Sequence, residues 1–282
     1  MSTQLPSVLS SNLAQRTISA IVLIPLVLGV VWAGGWPYTI LVAAMMMVGA
    51  YEWMGLTVRG ISPLGGLWMF GLLLLILGIG LWGNIVYATA FIVMASVIVL
   101  YFSVLWWGRL KSALWAPVGI PYLGYGGIAL IYLRNYDAYG LDLIIYLLAV
   151  VWSTDIGAYA AGRLIGGPKL LPKISPKKTW AGLLGGMALA SFLGYAAARG
   201  FSFGRFAGWP VVLPFSPEAA ACGGAILAVI AQAGDFFESY LKRRAGAKDS
   251  GRLIPGHGGM LDRVDGLIVA AMGLALYVAL VG

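Results

Sequence analysis

Asp235, Glu238, Ser239 and Lys242 are spaced i, i+3, i+4 and i+7, so a helix carries all four on one face. Asp262 and Asp265 repeat the i, i+3 spacing further along. Two helix ends would then present four carboxylates to one surface. Oxygen donors at that density suit a hard cation such as Mg²⁺, which takes one or two carboxylates and completes its shell with substrate phosphates. A plainer explanation exists for part of this: an Asp at a helix N-terminus is stabilising without any ligand, and Asp262 beside Arg263 can be a surface ion pair. It does not cover Asp235, which ends an uncharged run from Ala219 to Gly234. Between the two pairs lies Gly256-His-Gly-Gly259. Its backbone can approach an anion closely, with the start of the next helix aimed at it. A glycine run alone is a weak signal, but Lys248, Arg252, His257 and Arg263 add donors beside it.

A second basic set runs from Lys169 to Trp180 and ends in Ser175-Pro-Lys-Lys-Thr-Trp180. Loop charge in a membrane protein explains the lysines by itself. Ser-Pro ahead of two lysines is more specific: it predicts a rigid turn before a helix, with Thr179 as the N-cap. Two further carboxylates fall inside apolar segments. Asp155 stands in Trp152-Ser-Thr-Asp-Ile-Gly-Ala-Tyr159 and needs a cation, a lysine or hydrogen-bond donors to be tolerated there. Glu52, in Tyr-Glu-Trp-Met, reads equally as an interfacial side chain between aromatic anchors and as a site residue.

The elements that must hold these groups are apolar. Of 282 residues, 61% are hydrophobic and only 10% charged, and mean hydropathy is +0.91. A soluble domain carries about 25% charged residues. The expected class is therefore an all-α, polytopic integral membrane helical bundle, a single domain over 1–282. Residues 1–150 would supply N-terminal helices and 151–282 the half that carries the motifs. The net charge of +8 suits cytoplasmic loops and anionic lipid rather than nucleic acid. A lone Cys222 leaves no intrachain disulfide and no multi-cysteine metal site. Arg16 before the first apolar run resembles the start of a signal peptide, but no clean cleavage motif follows and the chain goes on to span repeatedly.

Windows of about 20 apolar residues predict nine spans, near 17–34, 37–56, 64–82, 86–107, 113–133, 141–163, 180–198, 215–241 and 262–281. The fifth, with Pro117 and Pro121, is expected to bend. The eighth is the weakest. With that count, fifteen of the 18 Lys/Arg fall on the N-terminal side of the membrane, and only Arg134, Arg199 and Arg205 on the other. This asymmetry puts the N-terminus and the Ser239–Asp265 stretch in the cytoplasm.

The motifs resemble the signature of the CDP-diacylglycerol synthases (phosphatidate cytidylyltransferases). The resemblance rests on Ser239, Lys242-Arg243, Lys248-Asp249, Pro255-Gly-His-Gly-Gly259 and Asp262-Arg-Val-Asp265, with Gly234-Asp-Phe-Phe-Glu-Ser239 before them. Asp155-Ile-Gly-Ala-Tyr159, Gly162-Arg163 and Ser175-Pro-Lys-Lys-Thr-Trp180 add to it. It covers roughly residues 150–280; the first five spans match only in general character. One departure stands out: the family commonly has Glu after Lys-Lys-Thr-Trp, where this chain has Ala181.

The resemblance implies that CTP and phosphatidic acid give CDP-diacylglycerol and pyrophosphate in phospholipid biosynthesis, in an all-helical, homodimeric enzyme of a bacterial-type inner membrane, with the site facing the cytoplasm. It implies Asp235 and Asp262 as Mg²⁺ ligands with Asp265 close by, and leaves room for a second, monovalent cation. Ser239, Lys242, Arg243, Lys248, Arg263 and the His257-Gly258-Gly259 backbone would hold phosphates. Ser175, Lys177 and Lys178 would hold the lipid phosphate or the leaving pyrophosphate, with Asp155 on the same wall. The residues fit this chemistry on their own terms, since joining two anions calls mainly for charge neutralisation and in-line positioning. No general base is needed for a phosphate oxygen already ionised at neutral pH, so His257 is read as a donor. Three rivals stand against this reading. A CTP-using polyprenol kinase would move the γ-phosphate instead. A CDP-alcohol phosphotransferase would need a longer aspartate pattern than this chain has. An ion transporter would place charges at mid-membrane in several spans.

Overall fold

The computed structural model describes residues 12–58, 63–81, 85–107, 114–199, 212–251, 253 and 258–281. Helix dominates throughout. In chain order the helices are α1 (Asn12–Ala33), α2 (Gly35–Thr57), α3 (Pro63–Leu81), α4 (Ile85–Trp107), α5 (Gly119–Arg134), α6 (Gly140–Leu164), α7 (Trp180–Ala198), α8 (Pro217–Ala245) and α9 (Leu261–Val281). A 3₁₀ turn at Asp137–Tyr139 joins α5 to α6. Two short antiparallel strands, β1 (Lys169–Leu171) and β2 (Ser175–Thr179), form a hairpin between α6 and α7. Among the described residues, five helices are long and apolar enough to cross a membrane: α2, α6 with its leading turn, α7, α8 and α9. Large apolar side chains such as Ile21, Trp36, Leu164 and Leu280 stand exposed, as lipid-facing residues would. The protein is an all-α membrane protein with one small hairpin.

Two local expectations change. Pro117 lies in a turn ahead of α5, and Pro121 falls in that helix's first turn, where a missing N–H costs nothing. The prolines therefore start the helix late instead of bending it, and α5 is left with 16 residues, about 24 Å. The second change is Ser175–Thr179, expected as a turn and found as strand β2. Thr179 does cap α7, its Oγ1 accepting from the N–H of Gly182 at 3.0 Å.

α8 begins with Ser216, whose side chain accepts from the Ala219 N–H, and with Pro217 in its first turn. It ends at Gly246 in the left-handed region (φ 71°), whose N–H returns to Arg243 and Lys242 carbonyls. Lys242, Arg243 and Arg244 occupy the last turn, where cations oppose the helix dipole.

α6, α7, α8 and α9 pack in sequence, and α5 bridges α9 to α2 and α3. Small residues let the backbones touch. A methyl group at Gly157 would lie 2.5 Å from the Gly185 carbonyl oxygen, one at Gly224 2.6 Å from that of Ala190, and one at Gly234 2.6 Å from that of Asp265. Close helix approach of this kind is how apolar helices gain packing where lipid offers no hydrophobic drive. On the other side, Trp53 of α2 is fully buried. It stacks on Tyr122 at 5.4 Å, faces Phe237 at 5.9 Å and donates Nε1–H to the Trp115 carbonyl at 3.0 Å. These contacts fix α2 and α5 against the end of α8 that carries the charged face.

Candidate active site

The i, i+3, i+7 face of α8 turns toward the start of α9 and the hairpin, around a cavity of about 490 Å³. Five carboxylates line it (Asp155, Asp235, Asp249, Asp262 and Asp265), against three cationic side chains, Lys178, Lys242 and Arg263. Leu148, Val151 and Trp152 of α6 form its apolar wall.

Lys242 is the hub. Its Nζ lies 2.5 Å from Glu238 Oε2 on its own helix and 2.5 Å from Asp262 Oδ1 across the cavity. Glu238 is buried, and its other oxygen has no hydrogen-bond partner among the described residues. Asp262 is held on its other side as well: Oδ2 accepts from the N–H groups of Ser250 and Gly259, each at 2.9 Å, and the Ser250 hydroxyl oxygen stands 3.0 Å away. Asp235 accepts from Ser239 Oγ at 3.1 Å and meets Lys178 Nζ at 2.5 Å. That approach is a close ion pair without aligned hydrogen-bond geometry. Lys178 also lies over the Phe236 ring, 4.6 Å from its centroid. Asp265 accepts the N–H of Gly266 at 2.8 Å, and the Tyr122 hydroxyl donates to its carbonyl at 3.2 Å.

The cavity therefore unites Asp155, Lys178, Asp235, Lys242, Asp262, Arg263 and Asp265. Ser239 joins through Asp235. Other expected members stand apart. In β2 successive side chains alternate faces: Lys178 is half-buried at the cavity, whereas Lys177 is exposed and does not line it, and neither does Ser175. Lys248 is exposed off the cavity. Arg243 reaches the carbonyls of Ile174 and Ala247 and ties the end of α8 to the hairpin. His257 and Arg252 lie outside the described residues. In the described part of the Gly256–Gly259 loop the Gly259 N–H serves Asp262, and the next two N–H groups, of Met260 and Leu261, serve Glu52. Gly258 adopts φ +86°, and a Cβ there would press on Asp262 Oδ2. These glycines make room for carboxylates of the protein itself.

Sequence spacing passed over several participants. Gln232, Asp249 and Trp152 line the cavity. Gln232 was detectable as a polar residue one turn before Asp235 in an otherwise small and apolar run. Glu238, one of the four carboxylates picked out by spacing, pairs with Lys242 instead of lining the cavity, and Ser250 gives no local signal.

The site fits a divalent cation by its donor chemistry. Five carboxylates face three cationic side chains around the cavity, an excess of oxygen donors of the kind a hard divalent cation takes up. Among the described residues no three Asp, Glu, His or Cys side chains converge as a ready-made cage.

Comparison with known proteins covers the chain almost end to end. A family model described as "Cytidylyltransferase family" matches residues 14–281. A protein of Brucella suis named phosphatidate cytidylyltransferase is 40% identical over 96% of this chain and 94% of its own length. One of the same name from Pseudomonas aeruginosa is 33% identical over 92% and 94%. The corresponding protein of Helicobacter pylori is 42% identical over 55% and 54%. The chain belongs to the cytidylyltransferase family.

Proposed function

We propose that the chain is a phosphatidate cytidylyltransferase, moving the cytidylyl group of CTP to phosphatidic acid. The observation that carries this is the polar cavity at the junction of α6, β2, α8 and α9, acidic and ammonium-lined beside an apolar wall, in a chain that matches enzymes of that name over nearly their full length. An ionised phosphate oxygen of the lipid attacks the α-phosphorus of CTP. The bond from that phosphorus to the oxygen bridging the β-phosphate breaks, and pyrophosphate leaves with the electron pair. No proton has to be removed first.

The residues supply position and charge. Lys242 and Lys178 are held by carboxylates, so their ammonium groups are in place before substrate arrives. Each has three N–H donors; Lys242 directs two at Glu238 and Asp262 and Lys178 faces Asp235, so each retains an N–H that can hydrogen-bond a phosphate oxygen. Arg263 adds a third cation at the cavity. Asp235, Asp262 and Asp265 would hold Mg²⁺, which when bound neutralises nucleotide oxygens and favours the leaving pyrophosphate. A second, monovalent cation would draw on the same carboxylates. The α6 wall offers an apolar flank for lipid arriving sideways, with CTP coming from water. Purified protein in detergent with labelled CTP, phosphatidic acid and Mg²⁺ should yield CDP-lipid and pyrophosphate. If CTP is recovered intact beside accessible lipid, the reading fails.

The same reading takes 1–282 as one membrane domain with nine spans in a bacterial inner membrane, the N-terminus and the cavity on the cytoplasmic side, and the protein working as a homodimer. Loop charge supports the orientation. Reporter fusions to the N-terminus and after Gly246 should both report cytoplasm; opposite sides would break the span count. A native mass of the detergent-free particle equal to one 29.8 kDa chain would refute the dimer.

A further inference from the structure

Glu52 lies in α2, far from the motif-bearing half in sequence, and is buried at 4% exposure. Its carboxylate reaches into the site's own loop. Oε1 accepts from the Met260 N–H at 2.8 Å, and Oε2 accepts from the Leu261 N–H at 2.8 Å and the Ser250 hydroxyl at 2.9 Å. The two backbone donors belong to the start of α9, which would otherwise be left unpaired, and a carboxylate there also meets the positive end of the helix dipole. A structural cap would end at that point. Here the same Ser250 hydroxyl also lies 3.0 Å from Asp262 Oδ2, and the Ser250 N–H donates to that oxygen. The hydroxyl carries one proton and stands within reach of both carboxylates, so it serves one at a time, while the Ser250 N–H holds Asp262 throughout; the other oxygen of Asp262 holds Lys242. The local chain is cut to fit this arrangement: a methyl group at Gly259 would stand 2.6 Å from both Glu52 oxygens.

We propose that Glu52 is a positioning residue for cytidylyl transfer, setting the orientation of Asp262 through Ser250 and the first turn of α9. This gives the N-terminal helices a part in the chemistry, and it rests on the reaction proposed above. Glu52 touches no reacting atom. It fixes the direction in which Asp262 presents its oxygens, and so affects the nucleotide and cation end of the site rather than the lipid end. Loss of such a supporting contact lowers activity or metal affinity by about 10- to 100-fold.

The test uses the full chain in detergent, with wild type, Glu52→Gln, Ser250→Ala and the double variant. Gln keeps the length of Glu but puts an amide NH₂ where one acceptor was. Glu52→Gln should lower kcat about tenfold or more and raise the Mg²⁺ concentration for half-maximal activity, with the KM for phosphatidic acid unchanged. Ser250→Ala should shift the same quantities in the same direction, and the double variant should be no worse than Glu52→Gln alone. A purely structural cap would instead lower thermal stability while the folded fraction kept wild-type kcat and Mg²⁺ dependence; that result overturns the proposal. So does a folded Ser250→Ala with wild-type kinetics, a reading that stands even where Glu52→Gln cannot be recovered. Absence of turnover in wild type would overturn the reaction itself, which separates that failure from the failure of Glu52 alone.

Discussion

Asp262 is the most heavily surrounded carboxylate of the cavity among the described residues: two backbone N–H groups, a hydroxyl and an ammonium converge on its two oxygens. Asp262→Asn tests what that arrangement is for. The Asn carbonyl oxygen can stand at the Oδ2 position and keep the backbone donors, while its NH₂ then faces Lys242, donor against donor. The expected stability loss is about 1–3 kcal/mol, the cost of one disrupted buried polar contact. Turnover should fall about a hundredfold or more if the carboxylate charge acts in the reaction. A folded Asp262→Asn protein with near-normal activity would show that the charge serves only the loop. At this scale the i, i+3, i+7 spacing on α8 was readable from sequence, because neighbours on a helix face are fixed by the 3.6-residue turn. The pairing of Glu52 with Ser250 was not, since 198 residues separate them and no local rule joins them. A turn does not distinguish Lys177 from Lys178, whereas a strand's alternation separates them at once.

Among the elements, α8 and α9 carry the site, and their spacing is set where Gly234 meets the Asp265 carbonyl. A methyl group at residue 234 would lie 2.6 Å from that oxygen and 2.9 Å from a Val269 methyl. Backbone cannot yield as a flexible side chain does. Gly234→Ala should therefore push the two helices apart beside Asp235 and Asp265, at about 1–3 kcal/mol for overpacking, and reduce activity by more than the stability loss explains. Thermal unfolding and specific activity measured on one preparation check this, and unchanged activity would mean that the α8–α9 distance is not critical. The helix positions were legible because apolar windows and end signals agree, as at Ser216-Pro217 and Gly246 for α8. The late start of α5 was not, because a proline reads as a kink or as a first-turn residue depending on where the helix begins.

Taken as a whole, the described molecule joins an apolar bundle to a polar corner, to which the charged stretch contributes Lys242, Asp249, Asp262, Arg263 and Asp265. What the sequence did not show is that the first half of the chain is bound into it, through Trp53 against Phe237 and Glu52 against the start of α9. α8 also has a consequence for the surroundings of the enzyme. Its 29 residues measure about 43 Å along the axis, against about 30 Å of hydrocarbon in a typical bilayer. Asp235 then stands about 27 Å from the helix's first residue and Lys242 about 37 Å. In the orientation proposed above, with Pro217 at the far boundary, the carboxylates and ammonium groups would fall where oil gives way to headgroups, and the height of that boundary would become a control variable. In vesicles made from lipids of stepwise longer acyl chains, the rate should pass through a maximum and decline once the boundary rises past Lys242. A rate indifferent to bilayer thickness would mean that helix tilt absorbs the whole mismatch.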